Sequence, residues 1–214
     1  MTRSLLLIAA MLVHAETVDR LAVTVGDEII TERQVMLHLR TAAFLNGAPL
    51  STTVKDKRQA AQKLIEQALV RIEMQNNRYP LPSDAEVKQA FDSAIQQRFG
   101  AGQARYSQEL EKYGIGDAEF KDALRQQLAI LSFIDFRFRP GVQIPEDEIH
   151  ESYDADFVKE TPGKAKLSYN QARAAILETL TQQRIDNLLD RWLSQTETAT
   201  RVRWIDAVFA EGGK

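Results

Sequence analysis

Cysteine is absent from the 214 residues of this chain, and histidine occurs at three positions, His14, His38 and His150. The absence of cysteine excludes disulfide bonds, thiolate chemistry and a lipid anchor on an N-terminal cysteine. Three histidines without cysteine cannot form a Cys/His catalytic pair or a zinc site with the usual ligands. His38 falls within a helical pattern and His150 follows acidic residues, so both are interpreted as structural or solvent-exposed residues.

The sequence also lacks the glycine pattern of a phosphate-binding loop. Several glycines stand where turns and helix ends are expected, namely Gly26, Gly100, Gly102 and Gly114. Carboxylates cluster at 146–148 and at Asp154 and Asp156, where partners of a helix dipole and solvated loop charges are commoner than an acid/base pair. These absences predict a protein with no cofactor, no metal ion and no catalytic residue.

Apolar runs long enough to span a bilayer are missing as well, since the longest, residues 5–13, is too short. Arg3 precedes this run and Val13-His14-Ala15 follows it, which is the order of a cleaved secretory signal. The prediction is a signal peptide at 1–15 and an exported mature chain from Glu16. A short buried helix at the N-terminus of a cytosolic protein is the alternative.

An excess of positive charge is also lacking, because the formal net charge is −3 at pH 7. Nucleic acid is therefore not expected as a partner, and neither binding to an anionic membrane surface nor membrane insertion is expected. A hydrophobic content of 44% and a charged content of 27% are ordinary for a globular protein. The length suits one domain or two small ones.

The rest of the chain is organised around the stretch from Leu21 to Leu39, which is predicted to form two strands and the start of a helix. Leu21, Val23 and Val25 alternate with smaller residues, Gly26-Asp27 supplies a turn, and residues 28–30 return before a helix begins at Thr31. A two-stranded ribbon is marginal by itself in water, so a distant segment must cover or extend it. The segment 201–205 is the best candidate for this closing strand.

Helical patterns occupy most of the chain between these ends. The clearest stripe has spacings of three and four and consists of Ala61, Leu64, Ile65, Ala68, Leu69 and Ile72. Capping boxes are predicted at Thr31/Gln34, Ser83/Glu86 and Ser168/Gln171. Asp117 is predicted to cap a helix that reaches Phe138, a short helix is predicted at about 106–113, and Pro145 is placed in the first turn of another.

The predicted fold class is mainly α, a single helical module with a small β-sheet formed by an N-terminal hairpin and a C-terminal strand. After the signal peptide, residues 16–151 form the main part of this module. Residues 152–167 are predicted to be a linker, for which Thr161-Pro162-Gly163 is the strongest signal. Residues 168–206 supply the helix and strand that complete the module, and residues 207–214 form a tail.

The order of these motifs resembles the SurA-type periplasmic chaperones. The resemblance rests on the hairpin segment 18–32, the helix start at 82–87, the turn Tyr113-Gly114-Ile115, the connector at 144–146 and the ending Val202-Arg203-Trp204-Ile205. Together these motifs extend over nearly all of 18–205, and their specificity lies in their order. The resemblance implies a periplasmic location and a helical module that binds unfolded polypeptide.

The chain departs from that family between its main part and its last helix. SurA and its relatives carry one or two parvulin prolyl-isomerase domains there, whereas this chain has the segment 152–167. A globular domain ordinarily needs at least ~50 residues. The isomerase domain is therefore predicted to be absent, and residual prolyl isomerisation is disfavoured as a function.

Aromatic residues gather in the middle third of the sequence, and some are expected to line a peptide-binding groove. Phe133, Phe136 and Phe138 have spacings that cannot all face one side of a helix, so some should point away from the core. The alternative for each of these aromatic residues is that it is buried in the hydrophobic core. The candidate peptide-binding residues are Phe91, Ile95, Phe99, Tyr113, Phe120, Phe133, Phe136 and Phe138, with Tyr106 in the same region.

Two functions follow as hypotheses. The first is a periplasmic chaperone-like protein that binds unfolded outer-membrane or secreted proteins through an apolar groove, without isomerase activity. Such binding would be weak, because ordering a disordered client offsets much of the burial energy. The second is a structural or assembly subunit that holds one dedicated partner, or that forms a domain-swapped homodimer.

Overall fold

The computed structural model describes residues 19–100, 103–157, 167–206 and Phe209. The predicted signal peptide lies outside the described residues, as do most of the predicted linker and most of the predicted tail. The predicted fold class is confirmed. Within the described ranges the α-helices and strands are, in order, β1 (Leu21–Val25), β2 (Glu28–Thr31), α1 (Glu32–Asn46), α2 (Val54–Asn77), α3 (Asp84–Phe99), α4 (Gln103–Tyr113), α5 (Asp117–Phe138), α6 (Glu146–Ser152), α7 (Tyr169–Ala199) and β3 (Val202–Trp204). A short 3₁₀ helix (Arg139–Gly141) follows α5, and a π-helical turn (Tyr153–Phe157) follows α6 at the start of the predicted linker.

β1 is the middle strand of an antiparallel sheet with the order β2-β1-β3. Gly26 turns the hairpin with a φ of 58°, a conformation that a residue without a Cβ adopts at little cost. β3 lies along the other edge of β1, with Val23 opposite Trp204 and Val25 opposite Val202. The predicted pairing of the two distant ends is therefore confirmed, and the helices form a long excursion between paired strands.

α2 covers the sheet because its apolar residues recur along one side of the helix. The predicted stripe is confirmed, since four of its members are buried and Leu64 and Ile72 pack at the margin. Phe209 is fully buried in the same cluster, beyond the last strand. We call this cluster the sheet core; it consists of Ala22, Val23, Val25, Ile30, Val35, Ala60, Ala61, Ile65, Ala68, Leu69 and Phe209.

A second cluster lies where α1, α3, α4 and the start of α5 meet. Phe44 is at its centre, and its ring centroid is 5.1 Å from that of Phe120 and 5.6 Å from that of Phe99. Stacked and edge-to-face rings at these separations attract one another beyond their burial of apolar area. We call this cluster the aromatic core; it consists of Ala43, Phe44, Ile95, Phe99, Tyr106, Leu110, Tyr113, Ile115 and Phe120.

α7 is the longest helix of the described residues and contacts α2, α5 and α6. Its 31 residues extend over about 46 Å at 1.5 Å per residue. The first half packs against α6, where Ile176 meets Ile149. The second half contacts α2 and α5, where Ile185 lies in a third cluster with Met74 and Phe133. No helix in the described ranges combines the length and the hydropathy that crossing a membrane requires.

Helix starts agree with the sequence prediction at the three capping boxes and differ at three other places. The boxes at Thr31 and Ser83 make both of their hydrogen bonds, and at Ser168 the backbone N–H donates to Gln171 Oε1 at 2.9 Å. α4 begins at Gln103, one turn earlier than predicted, and Pro145 is the N-cap of α6 instead of a residue of its first turn. Asp117 is the first residue of α5, because Gly116 is the N-cap and donates its N–H to Glu119 Oε2 at 3.0 Å.

Arg78 ends α2 in a conformation that suits glycine. Its φ of 53° and ψ of 46° are left-handed, and its backbone N–H donates to the carbonyl of Met74. Because a Cβ is strained there, Arg78→Gly is expected to stabilise the protein by roughly 0.5–1 kcal/mol in chemical denaturation. Gly47→Ala is the matched comparison at the end of α1, where φ is 63°, and it should be destabilising. A loss of stability with Arg78→Gly would contradict this account.

Candidate functional site

The structure divides the eight candidate peptide-binding residues between two places. Ile95, Phe99, Tyr113 and Phe120 are buried in the aromatic core, and Phe91 packs against it while half-buried. Phe133 and Phe138 are buried near α7, whereas Phe136 is 62% exposed. The expectation that some aromatic residues of α5 point outward is thus met by Phe136. Whether any of the eight binds a peptide stays a prediction.

An open cleft lies beside the aromatic core, between α3, α4 and the start of α5. Its volume is about 560 Å³, which is within the ordinary range for ligand pockets. Phe91 and Tyr106 supply aromatic walls, and Leu110 and Ile115 add aliphatic surface. We call it the α3–α5 cleft; its other lining residues are Ser107, Glu111, Gly114, Gly116, Asp117 and Lys121.

Two basic residues of α1 hold the turn that forms one side of the cleft. Arg40 Nη1 donates to the carbonyl of Gly114 at 3.2 Å. Arg33 Nη2 donates to Glu119 Oε1 at 2.7 Å, and the other oxygen of Glu119 accepts from the backbone of Gly116. These contacts lower the pKa of Glu119, chiefly through Arg33, and so keep the carboxylate charged. These contacts hold the glycine turn against α1.

A small polar network lies at the bottom of the cleft. The Tyr106 hydroxyl donates to Asp117 Oδ1 at 2.7 Å, and Lys121 Nζ lies 2.7 Å from Asp117 Oδ2. The contact with Lys121, followed by that with Tyr106, lowers the pKa of Asp117, while burial and then Asp117 raise the pKa of Tyr106. The network therefore stays as an ionised Asp117 and a neutral Tyr106 at neutral pH.

Lys121 also connects this network to the aromatic wall. Its ammonium group lies 4.9 Å from the ring centroid of Phe91, within the range of a cation–π contact. Phe91 in turn packs edge-to-face on Tyr106, with ring centroids 5.7 Å apart. The cleft thus offers a half-buried aromatic face beside the Lys121–Asp117 ion pair, an arrangement that suits apolar side chains next to polar backbone groups.

A separate apolar patch surrounds Phe136 on the outer face of α5. The Tyr79 ring lies 5.7 Å from that of Phe136 and 4.9 Å from the buried ring of Phe133. Arg137 Nη1 donates to the Tyr79 hydroxyl at 2.8 Å and lies 2.9 Å from Glu73 Oε1, so the ring of Tyr79 is held in place. We call Tyr79 and Phe136 the Phe136 patch.

Packing explains the positions of the two histidines that the structure describes, His38 and His150. Burial, and to a smaller extent Lys63, lowers the pKa of His38 in α1. His150 stacks on Tyr169 with ring centroids 3.9 Å apart and planes 6° from parallel. In the ranges that the structure describes, no group of three or more His, Asp or Glu side chains is placed to hold a metal ion.

The sequence prediction missed the polar residues of the cleft. Asp117 was assigned to helix capping and Lys121 to no role, although their spacing of four puts them on one side of α5. That spacing of four is the sequence signal that could have predicted the ion pair between Asp117 and Lys121. The contacts that fix the glycine turn join residues 74 and 86 positions apart, and no local pattern predicts them.

The sequence matches no known family model, and the comparison with curated proteins finds no similar protein either.

Proposed function

We propose that this protein is a chaperone-like module that binds unfolded polypeptide in the α3–α5 cleft, without catalysis. The observation that carries the proposal is the cleft itself, with an aromatic wall, an aliphatic wall and a glycine turn held by α1. Such a site binds apolar side chains and backbone groups together, so it discriminates little between sequences. Low selectivity suits a protein whose clients share only their unfolded state.

The order of motifs along the chain supports the same proposal. The hairpin, the helical excursion and the closing strand follow the arrangement of the SurA-type module that the sequence resembles. By that resemblance we propose a periplasmic location and unfolded outer-membrane or secreted proteins as clients. The proposal includes no parvulin domain. The expected activity is therefore to hold a client without isomerising its prolyl bonds.

The activity is expected to appear as suppressed aggregation of an unfolded porin diluted from urea, followed by light scattering. The mature chain should suppress scattering at several-fold molar excess. Phe91→Ala, which removes the aromatic wall, should lose most of this effect, because apolar contact area supplies most of the binding energy. Phe136→Ala makes the same chemical change on the separate patch and should retain it.

Two further measurements separate loss of binding from loss of folding. Lys121 is 48% exposed, so Lys121→Ala should fold normally while altering the cleft. Hydrogen exchange with a saturating porin peptide should protect residues 106–121 if the cleft is occupied. No suppression by the wild-type chain at any excess, with no protection in exchange, would contradict the proposal.

The alternative function is a structural or assembly subunit that holds one dedicated partner or a second copy of itself. The exposed ring of Phe136 favours this alternative. In that case size-exclusion chromatography with light scattering would show an oligomer whose mass does not change on dilution. Phe136→Ala would then dissociate it, whereas Phe91→Ala would not.

A further inference from the structure

The free edge of the sheet carries a second inference, independent of the α3–α5 cleft. β3 is an edge strand, since the order is β2-β1-β3. The N–H of Gly26 donates to Arg201 and the N–H of Ile205 donates to Ala22, each at 2.9 Å. The residues of β3 that bond to β1 are therefore the odd-numbered ones. The backbone groups of Val202 and Trp204 face away from β1 and have no backbone partner within the described residues.

A cleft of about 570 Å³ opens at this edge, between β3, the end of α7 and α2. Val202 and Trp204 line it, and both pack against the sheet core on the same face as Val23 and Val25. Side chains on an added strand would alternate between the two faces of the sheet. Those opposite Val202 and Trp204 would point into this cleft, which we call the β3 cleft.

The β3 cleft is acidic. Glu66, Asp190 and Glu197 line it, together with Ser194, Thr198 and Thr200. Lys63 lies 2.8 Å from Glu66, whereas Glu197 accepts a hydrogen bond from the neutral Gln62 at 3.2 Å. Asp190 has no ion-pair partner within the described residues. Arg58 also lies close by, with its guanidinium 6.0 Å from the Trp204 ring centroid.

We propose that the β3 edge binds an extended polypeptide segment as a fourth, antiparallel strand, and that it selects basic side chains at alternate positions. The backbone of Val202 and Trp204 supplies hydrogen bonds, as in other cases of strand addition. The carboxylates of the β3 cleft receive the lysine or arginine side chains on that face, and opposite charge favours them over acidic ones. The intervening residues lie on the face of Arg203 and are not selected.

The opposite edge of the sheet is less suitable. β2 directs Ile29 outward, but the strand ends at Thr31, whose side chain caps α1. Glu28 of β2 is paired with Arg71 at 2.6 Å. An added strand there would find one outward residue and no acidic cleft beside it among the described residues.

The inference rests on the proposed function in one respect, that the natural partner is an unfolded polypeptide. The binding experiment uses a short fluorescent peptide in which lysine alternates with threonine, and it follows fluorescence anisotropy. The same peptide with glutamate in place of lysine should bind at least about tenfold more weakly. Added salt should weaken binding of the lysine peptide and strengthen binding of the glutamate peptide, because it screens both the attraction and the repulsion.

Backbone methylation tests the strand geometry with the protein unchanged. In the proposed pairing the lysine N–H groups point toward β3 and the threonine N–H groups point away. Methylating the lysine nitrogens should weaken binding by about tenfold or more, because it removes the ladder hydrogen bonds. Methylating the threonine nitrogens should change it little. If methylating the lysine nitrogens and methylating the threonine nitrogens weaken binding equally, or if neither weakens it, strand addition is overturned.

Variants of the protein provide the second test. Val202→Pro removes an outward N–H without removing a bond to β1, so it should weaken binding by about tenfold. Because the Val202 side chain also packs against the sheet core, Val202→Ala is the control: it loses the same packing, keeps the N–H and should still bind the lysine peptide. Asp190→Asn combined with Glu197→Gln should reduce the preference for lysine over glutamate. Arg203→Ala changes the other face and should bind normally. A dimer that Val202→Pro dissociates, with no peptide binding, would identify a second copy as the occupant and overturn the proposal.

Failure of this inference and failure of the proposed function are distinguishable. Phe91→Ala alters the α3–α5 cleft and should leave binding of the lysine peptide unchanged. Val202→Pro alters the sheet edge and should still suppress porin aggregation if the α3–α5 cleft holds clients. Loss of peptide binding in Phe91→Ala, with the fold intact, would overturn the assignment of the site to β3.

Discussion

Phe44→Ala is expected to destabilise the protein by about 3–5 kcal/mol, the usual cost of truncating a buried phenylalanine. Phe44 is 1% exposed and lies at the centre of the aromatic core. Its ring has neighbours on every side, with centroids at 5.1 Å for Phe120, 5.6 Å for Phe99, 6.0 Å for Tyr113 and 6.2 Å for Tyr106. No single helix movement can fill the space, because these rings come from three other helices.

The loss is large relative to the whole stability of a typical domain, which is about 5–15 kcal/mol. Urea denaturation followed by circular dichroism measures it. Phe136→Ala is the matched control, since it makes the same change in a side chain that is 62% exposed, and it should cost less than about 1 kcal/mol. Similar losses for the two variants would mean that the aromatic core does not hold α1, α3 and α4 on α5.

Phe44→Ala should also weaken client binding indirectly. Tyr106 and Leu110 belong both to the aromatic core and to the lining of the α3–α5 cleft. A cavity beneath them would let the walls of the cleft move. The core and the candidate site are thus built from the same residues, which is why the aromatic stretch of the sequence could not be divided in advance into groove and core.

Sequence patterns predicted the features that depend on local spacing. The stripe of α2 repeats at three and four residues, so its burial follows from helix geometry. The boxes at Thr31, Ser83 and Ser168 need a partner only three residues away. The closing strand was predicted for a different reason, since an isolated hairpin needs an element that covers or extends it and the segment 201–205 was the best candidate.

Features that depend on which helices become neighbours were not predicted. The α3–α5 cleft exists because Arg33 and Arg40, on α1, hold a turn that follows α4. The β3 cleft brings together Glu66 of α2 with Asp190 and Glu197 of α7. In the sequence these acids are unremarkable surface charges. Their meeting depends on how α2 and α7 pack, and helix periodicity does not specify which helices are neighbours.

The two proposed surfaces would recognise different properties of one client. The α3–α5 cleft has aromatic and aliphatic walls and favours apolar side chains, whereas the β3 cleft is acidic and favours basic side chains on an extended backbone. Weak contacts at two sites on one module raise the apparent affinity for a chain long enough to reach both. A client that folds would lose its extended backbone, and with it the contacts at β3.

Ending the chain after Thr200 is expected to abolish cooperative folding. The truncation removes β3 and Phe209, and Phe209 is 0% exposed in the sheet core. β1 would lose its ladder with β3, including the bonds between Gly26 and Arg201 and between Ile205 and Ala22. The two-stranded ribbon that remains is marginal by itself in water, and its packing against α2 lacks the buried Phe209 that fills the sheet core. Thermal unfolding followed by circular dichroism should show no sharp transition.

A chain that ends after Phe209 is the control, because it keeps every described contact of β3, and it should melt as the full chain does. A truncated chain that ends after Thr200 yet melts at the same temperature would show that the helices fold without the closing strand. Adding a peptide with the sequence of residues 200–209 should restore the transition, since the strand contributes by pairing and burial and not by its covalent connection. Restoration in trans would also show that one molecule can supply β3 to another, which is the step that a strand-exchanged homodimer requires.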